Sequence, residues 1–589
     1  MFYFKRIKKC IMFFITVLVM NGYSQSTVTF NVDGATTEVA QEIFGLLMER
    51  LGKQWDGQGA IFVGTNSSTP NTNGMRNDVI EGFKECGIGC AQWPGGCAAN
   101  GYNWSSNKNP SNAVGVDRFI QFCKLTGAEA FISLKPTGND AASNEAFVKY
   151  IINDLNYPLK WVKIGNEIWG GCGTNYTGSY ASGFSSNYER LNALRSTENG
   201  KNLHIVAAAN SMEGNYSWIS SYFSNIGTKM DGIEFHDYIY HPDNISSSNP
   251  STANYWTIMS EILSGDFHAH LNTILSEMNK SDPNKRVKVD MDEWGDWLQD
   301  LGDGWMQQIT VMDAISAGAH LHQFITNADR VGVAALAQGV NVIHSVININ
   351  TSGVMVKTPA FYVFKMFKPH HANSAKFAPI TASKFENTNG STPMGNAAAT
   401  VDASGYVNVS IVNNDLSATR KVTVTLTSSH AEYKVMSAEV VTGASYTSTN
   451  NFGQAEQVNI KTLDASAYSV SGKTLTVTMP KISVVMIRLL PTDVAVQPGT
   501  LRKNGVGTVS IKAGPRGTVQ ITSSVSRKTP VTISLYGIDG RTLVDRTTRT
   551  FEAGNSSCDL GNKARGNGVY LVKITGAGIN LAKQVIFTR

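Results

Sequence analysis

The sequence predicts an α/β fold, a (β/α)8 TIM barrel followed by antiparallel β-modules, and three observations carry that expectation. From about Glu42 to about Phe364, short β-rich runs alternate with amphipathic stretches. Beyond about Pro369 the helical periodicity gives way to alternating segments separated by Thr, Ser, Asn and Gly, as in an antiparallel sandwich. Within the first region, Trp161–Glu167 and Val287–Trp294 are apolar runs that each deliver a glutamate, Glu167 and Glu293. A buried parallel strand presents a side chain at its C-terminal rim in this way.

Eight runs read as the barrel strands: Ile43–Glu49, Cys90–Trp93, Ala130–Leu134, Trp161–Ile164, His204–Ala208, Gly232–His236, Val287–Met291 and Val331–Ala335. Between them, Arg76–Lys84, Ala146–Asp154, Trp256–Leu263 and Met306–Phe324 read as helices. An open doubly wound sheet is the alternative, but no Gly-rich phosphate-binding turn follows any of the strands. In the second region, Tyr406–Val412, Lys421–Leu426, Tyr433–Val441, Thr474–Met479 and Ser483–Leu489 alternate as jelly-roll-like sandwich strands, and Ser26–Val32 is expected to join them. A polar linker near Pro491–Gly507 precedes a last β-module with strands at Val531–Tyr536, Tyr570–Ile574 and Ala582–Phe587.

The expected organisation is therefore a signal peptide over 1–24, a joining strand over 25–41, the barrel over 42–368, a sandwich over 369–490, a linker over 491–513 and a small sandwich over 514–589. Lys5, Arg6, Lys8 and Lys9 precede the apolar stretch Ile11–Met20 and a small-residue exit at Gly22 and Ser24, the layout of a secretory signal. That apolar run is too short to favour a membrane span, and a secreted or cell-surface location follows as an expectation. Removing it takes four of the 50 basic residues and leaves 46 against 45 acidic ones. So neutral a chain argues against nucleic acid or an anionic membrane as partner. Six cysteines then remain, with spacings that fix no connectivity. Cys86 and Cys90 lack a complementary Cys or His pair for a metal site, so Cys86, Cys90 and Cys123 read as buried thiols.

Two rim carboxylates are what hydrolysis of a glycosidic bond requires, one to protonate the leaving oxygen and one to attack or to activate water. Other strand ends carry Glu49, the stretch Trp93-Pro94-Gly95-Gly96-Cys97, His236 with Tyr238, and Gln338. Each alone reads equally well as a loop residue; together they describe one face of a barrel. Asn144-Glu145 repeats the Asn166-Glu167 dipeptide but reads as helix surface. Asp292-Glu293 would pass for a surface acidic pair, except that Trp294 and Trp297 suggest a sugar-stacking wall.

On five ordered motifs, IFGLLMERLG, RNDVIEGFKECGIGCAQWPGGCAANGYNW, KIGNEIWGGCG, DEWGDW and ADRVGVAALAQGVNVI, the chain from Val28 to Leu489 resembles glycoside hydrolase family 51, the retaining α-L-arabinofuranosidases. The resemblance implies Glu167 as acid/base and Glu293 as nucleophile, with Asn166 on the sugar 2-hydroxyl and Glu49 on a non-reducing arabinofuranose. It further implies that His236 and Tyr238 orient the nucleophile, that Trp297 and Gln338 line the same subsite, and that no metal or organic cofactor is needed. Cys97 stands where many members carry Asn; in others a cysteine there pairs with one after the acid/base, which implies a Cys97–Cys172 disulfide. Gly295-Asp296 also departs from the commoner residues, and the extra carboxylate is expected to tune the nucleophile or the choice of substrate.

The implied substrate is an arabinose-bearing plant glycan, arabinoxylan or arabinan, and the resemblance suggests a homo-oligomer. An endo-β-glucanase or xylan-active enzyme on the same scaffold is the nearest rival, and a non-catalytic glycan-binding surface protein is the rival from another class. The tail motifs LYGIDGR, GNGVYLVKI and AKQVIFTR resemble type IX secretion sorting domains, which implies secretion machinery as a partner.

Overall fold

A computed structural model describes residues 26–55, 60–211, 214–302, 304–493 and seven strands between 508 and 587. The signal-peptide expectation over 1–24 and linker residues 494–507 lie outside the described residues. The chain divides into two compact units, Met1–Asp493 and Val494–Arg589.

Eight parallel strands close the barrel: β1 Gly45–Leu47, β2 Cys90–Trp93, β3 Glu129–Leu134, β4 Trp161–Ile164, β5 His204–Ala207, β6 Gly232–Ser246, β7 Lys288–Gln299 and β8 Val331–Ala337. Sequential neighbours pair throughout, and β8 returns to β1. Burial on both faces explains the unbroken apolar runs: every residue of β2, β4 and β8 is buried. The sequence reading ends β6 and β7 too early. Both continue past the rim as a paired ribbon from Lys288 opposite Gly232 to Gln299 opposite Ser246, with the register shifting between Asp290 and Glu293 and again between Leu298 and Gln299.

The helices are α1 Asn77–Cys86, α2 Val116–Thr126, α3 Ala141–Lys149, α4 Thr177–Ala193, α5 Trp218–Ile226, α6 Thr252–Leu263, α7 Asp266–Ser281, α8 Val311–Thr326 and α9 Pro359–Phe367. Helix α1 stops where Gly87 takes a left-handed φ of 76° and donates its N–H to the Phe83 carbonyl. Helix α8 begins five residues later than Met306, because Thr310 and Asp313 form a reciprocal capping box there. Asn144 in α3 is buried rather than on the surface, with its amide bonded to the Lys135 carbonyl and to Asn187.

The sandwich packs a five-stranded sheet on a six-stranded one. Ser26–Asn31 enters the first, parallel to Arg420–Thr427 and antiparallel to Ile380–Lys384. Its inner faces bury Val28, Phe30, Val424, Val477, Ile411 and Ile487. The second sheet lies against α8, where His322 bonds Asn396 and Ser410, both at 2.7 Å. In the C-terminal unit, the described strands form a three-stranded and a four-stranded antiparallel sheet.

Candidate active site

The site is built from the inside of the barrel outward. Lys163 on β4 is fully buried, and its ammonium lies 2.5 Å from Glu234 on β6 and 2.7 Å from Asp292 on β7. It also donates to Asn166 Oδ1 at 2.8 Å. Gln92 of β2 donates to Asp292 at 2.9 Å. Burial pushes Asp292 upward, but the charges of Lys163 and His236 outweigh it and hold the carboxyl below its usual range.

His236 on β6 connects this buried layer to the rim. Its Nε2 lies 3.2 Å from Asp292 Oδ1, while its Nδ1 lies 3.2 Å from Glu167 Oε1 and 3.4 Å from Glu293 Oε2. Burial opposes a charged imidazole, yet Glu293 and the carboxylates around it raise His236 well above the ordinary histidine range. Tyr238, two residues along the same strand and so on the same face, donates its hydroxyl to Glu293 Oε2 at 2.9 Å. Glu293 Oε1 is buried and has no hydrogen-bond partner.

Carboxylate oxygens of Glu167 and Glu293 thus come within 4.8 Å of one another, with a His236 nitrogen at the same reach. These three groups have a spacing that a cation would accept. In the layer below, Glu234, His236 and Asp292 form a similar cluster, where Lys163 already supplies the positive charge. Burial raises Glu293 to about 8. At Glu167 burial also pushes upward, but the hydrogen bond and charge of His236 hold this carboxyl below its ordinary value. The two carboxyls are thus pushed in opposite directions, Glu293 upward by burial and Glu167 downward by His236.

Glu167 itself has φ 45°, an unusual conformation for a non-glycine residue, directly after the rim of β4. Asn100 holds the preceding turn, bonding both the N–H and the carbonyl of Asn166. Cys97 and Cys172 form a disulfide. Its sulfurs lie 3.9 and 3.7 Å from Glu167 Oε2, in contact with the carboxylate.

Glu49 follows β1 and accepts from Gln338 Nε2 at 3.1 Å. Gln54 fixes both, donating to the Glu49 carbonyl at 2.8 Å and to Gln338 Oε1 at 2.6 Å. Glycine is required beside them, because a Cβ on Gly96 would stand 1.9 Å from Glu49 Oε1. Burial raises the Glu49 carboxyl, partly offset by the Gln338 bond. A cleft of about 530 Å³ opens over Glu167, Trp169, Tyr216, His236, Tyr238 and Trp297.

All seven residues expected to bind substrate thus lie around the two glutamates, whereas two of their neighbours in sequence turn away. Trp294 is fully buried against His320 and Phe324, so it is no part of a sugar wall. Asp296 is buried behind β7, accepts from Ser316 of α8 at 2.6 Å and faces His344 instead of the cleft. Sequence reasoning missed Lys163, Glu234, Asp292, Gln92, Asn100 and Gln54. Charged residues inside otherwise apolar strands were the available signal for the first three. Cys86, Cys90 and Cys123 are free buried thiols.

Residues 292–483 match the family described as the α-L-arabinofuranosidase C-terminal domain. The chain is 28% identical over 514 residues to an intracellular exo-α-L-arabinofuranosidase of Bacteroides ovatus, covering 80% of this chain and 96% of that protein. It is 23% identical to an intracellular exo-α-(1→5)-L-arabinofuranosidase of Bifidobacterium longum, covering 68% and 80%. The crystal structure of the family 51 arabinofuranosidase from Xanthomonas axonopodis pv. citri superposes with a TM-score of 0.68 at 25% identity, over 79% of this chain and 99% of that one.

These relatives correct the expectation of a secreted or cell-surface location, since both bacterial enzymes are named intracellular. A basic start before a ten-residue stretch that is apolar except for Thr16 is a compositional signal and does not itself fix a destination. Among the described residues no helix is long and apolar enough to cross a membrane. The sorting-domain, secretion-machinery and oligomer readings gain no support from these likenesses. The barrel with its β-rich C-terminal domain and the matched relatives agree on the chemistry: the chain is a glycosidase of the α-L-arabinofuranosidase type, and its likenesses support glycoside hydrolase family 51.

Proposed function

We propose that this enzyme releases terminal non-reducing α-L-arabinofuranose from arabinoxylan- or arabinan-derived glycans by double displacement. Glu293 is the nucleophile and Glu167 the acid/base in this reading. The observation that carries it is the approach of the two carboxyl groups to within 4.8 Å at their nearest oxygens. Retaining enzymes hold these groups about 5–5.5 Å apart, whereas inverting ones leave room for a water between them.

Glu293 Oε1, free of partners, attacks the anomeric carbon while Tyr238 retains Oε2. As the bond to the leaving oxygen breaks, Glu167 gives that oxygen its proton. Water then attacks the same carbon, losing its proton to Glu167 and freeing Glu293. The first step requires Glu167 protonated and Glu293 ionised. His236 Nδ1, within 3.2 and 3.4 Å of the two carboxyls, is in reach of both. Positive charge developing at the anomeric carbon favours the ionised form of Glu293. The Glu49–Gln338–Gln54 group offers the hydrogen-bonding array that a terminal sugar needs.

Proton NMR of the first product formed from an aryl α-L-arabinofuranoside tests the reading. Initial release of the α-anomer, lost in Glu293→Ala, is expected. Initial release of the β-anomer, or near-normal turnover by Glu293→Ala, overturns the assignment.

A further inference from the structure

Beyond the cleft the structure carries an aromatic rim for which internal packing gives no reason. Tyr240 is the most exposed large hydrophobic side chain among the described residues at 57%, and Trp305 is 40% exposed. Both rings meet Trp297 edge-on, Tyr240 at 5.2 Å and Trp305 at 5.4 Å between centroids. Trp297 in turn meets Tyr238, the partner of Glu293, at 5.2 Å. A continuous aromatic surface therefore runs from the nucleophile out to solvent.

Trp305 is also held in an unfavourable backbone state. Its φ of 71° is a conformation that bulky residues rarely adopt. The neighbouring backbone fixes it there: Ile343 donates its N–H to the Trp305 carbonyl at 2.9 Å, and Leu301 donates to Met306 at 2.8 Å. A strained, half-exposed indole persists only where its surroundings over-determine it, and such positions cluster at ligand clamps. Packing does not account for the ring, since much of it remains in water.

We infer that the Tyr240–Trp297–Trp305 rim is a stacking platform for a neutral sugar ring of the leaving group. The inference rests on the glycosidase reading above. Aromatic faces suit the C–H surface of an uncharged sugar, burying apolar area without requiring a charge. The terminal sugar is taken up by the Glu49–Gln338 side, so a further ring on this rim belongs to the part that departs. The platform is continuous with the cleft, which makes a glycan the occupant.

The test compares Trp305→Ala, Trp305→Gly and Trp305→Phe with the parent enzyme on two substrates. One is α-1,5-linked arabinotriose; the other is methyl α-L-arabinofuranoside, whose leaving group contains no ring. Trp305→Gly also suits the positive φ, so it keeps the loop intact if alanine does not. The expected result is a KM for arabinotriose about tenfold higher in the alanine and glycine variants. The methyl glycoside should change by less than about twofold, and Trp305→Phe should recover most of the arabinotriose affinity. Equal losses on both substrates, no loss on arabinotriose, or no recovery with phenylalanine would each overturn the platform. A parent enzyme inactive on both substrates would instead remove the glycosidase reading, and the platform with it.

Discussion

Lys163 Nζ and Asp292 Oδ2 lie 2.7 Å apart with neither side chain reached by solvent. The pair stands one layer below the glutamates, and Glu234 and His236 complete it. A buried cation in this position sets the charge balance of everything at the rim.

Lys163→Met should therefore be among the most damaging substitutions in the barrel. It leaves Asp292 and Glu234 buried without their counter-charge, at a cost of about 3–5 kcal/mol. Thermal denaturation should show a marked loss, together with near-complete loss of activity, because Asn166 also loses its donor.

The raised carboxyl of Glu293 makes a stability prediction with a definite sign. Its folded value of about 8 lies above the ordinary 4.5, so the folded protein binds the proton more tightly than the unfolded chain does. That contribution is fully present below the unfolded value and is lost as pH rises through the folded one. Glu293→Gln removes the titration. Its melting temperature should exceed the wild-type value by about 2–4 °C or more at pH 8, with the gap narrowing toward pH 4. Melting curves across that range check it, and a gap independent of pH would refute the assignment.

Tyr238→Phe tests how the nucleophile is held. It deletes the hydroxyl that bonds Glu293 Oε2 at 2.9 Å and little else. We expect kcat on an aryl α-L-arabinofuranoside to fall about 10- to 100-fold, with a melting temperature close to that of the parent. A change in KM alone would mean that the hydroxyl serves binding.

Gly96→Ala probes the far wall of the pocket. The added carbon would fall 1.9 Å from Glu49 Oε1, at a residue whose φ is 44°. Displacing Glu49 should raise KM about tenfold or more while Glu167 and Glu293 remain in place. Steady-state kinetics separates this result from a general loss of folded protein, which circular dichroism would report.

The barrel was legible because parallel strands buried on both faces leave unbroken apolar runs: six of the eight expected strands match those in the structure to within two residues at each end, and the other two begin correctly to within one residue but stop short of the ends of β6 and β7. Glu167 and Glu293 stood out as charges at the ends of such runs. The ribbon of β6 and β7 was not legible: His-Pro-Asp-Asn beyond Tyr240 and the glycine before Asp296 read as turn signals, yet pairing between the two strands carries them on. Lys163 was hidden for a different reason. One lysine in a four-residue strand reads as a solvent-facing position, and only closure of the barrel shows that this face points inward. Trp294 and Trp297 have equal sequence signatures, but the strand turns one toward α8 and the other toward the cleft.

The long β6–β7 ribbon carries His236, Tyr238 and Tyr240 on one strand and Glu293 and Trp297 on the other. The proposed nucleophile and the proposed stacking wall therefore share one pair of strands. An attempt to retune glycan preference by rebuilding the ribbon would move the nucleophile with it. Trp305 lies outside the ribbon, on the loop that follows, and its ring meets Trp297 edge-on. For an engineer, that loop is the adjustable part: it allows substrate choice to be altered while the bond-breaking machinery stays fixed.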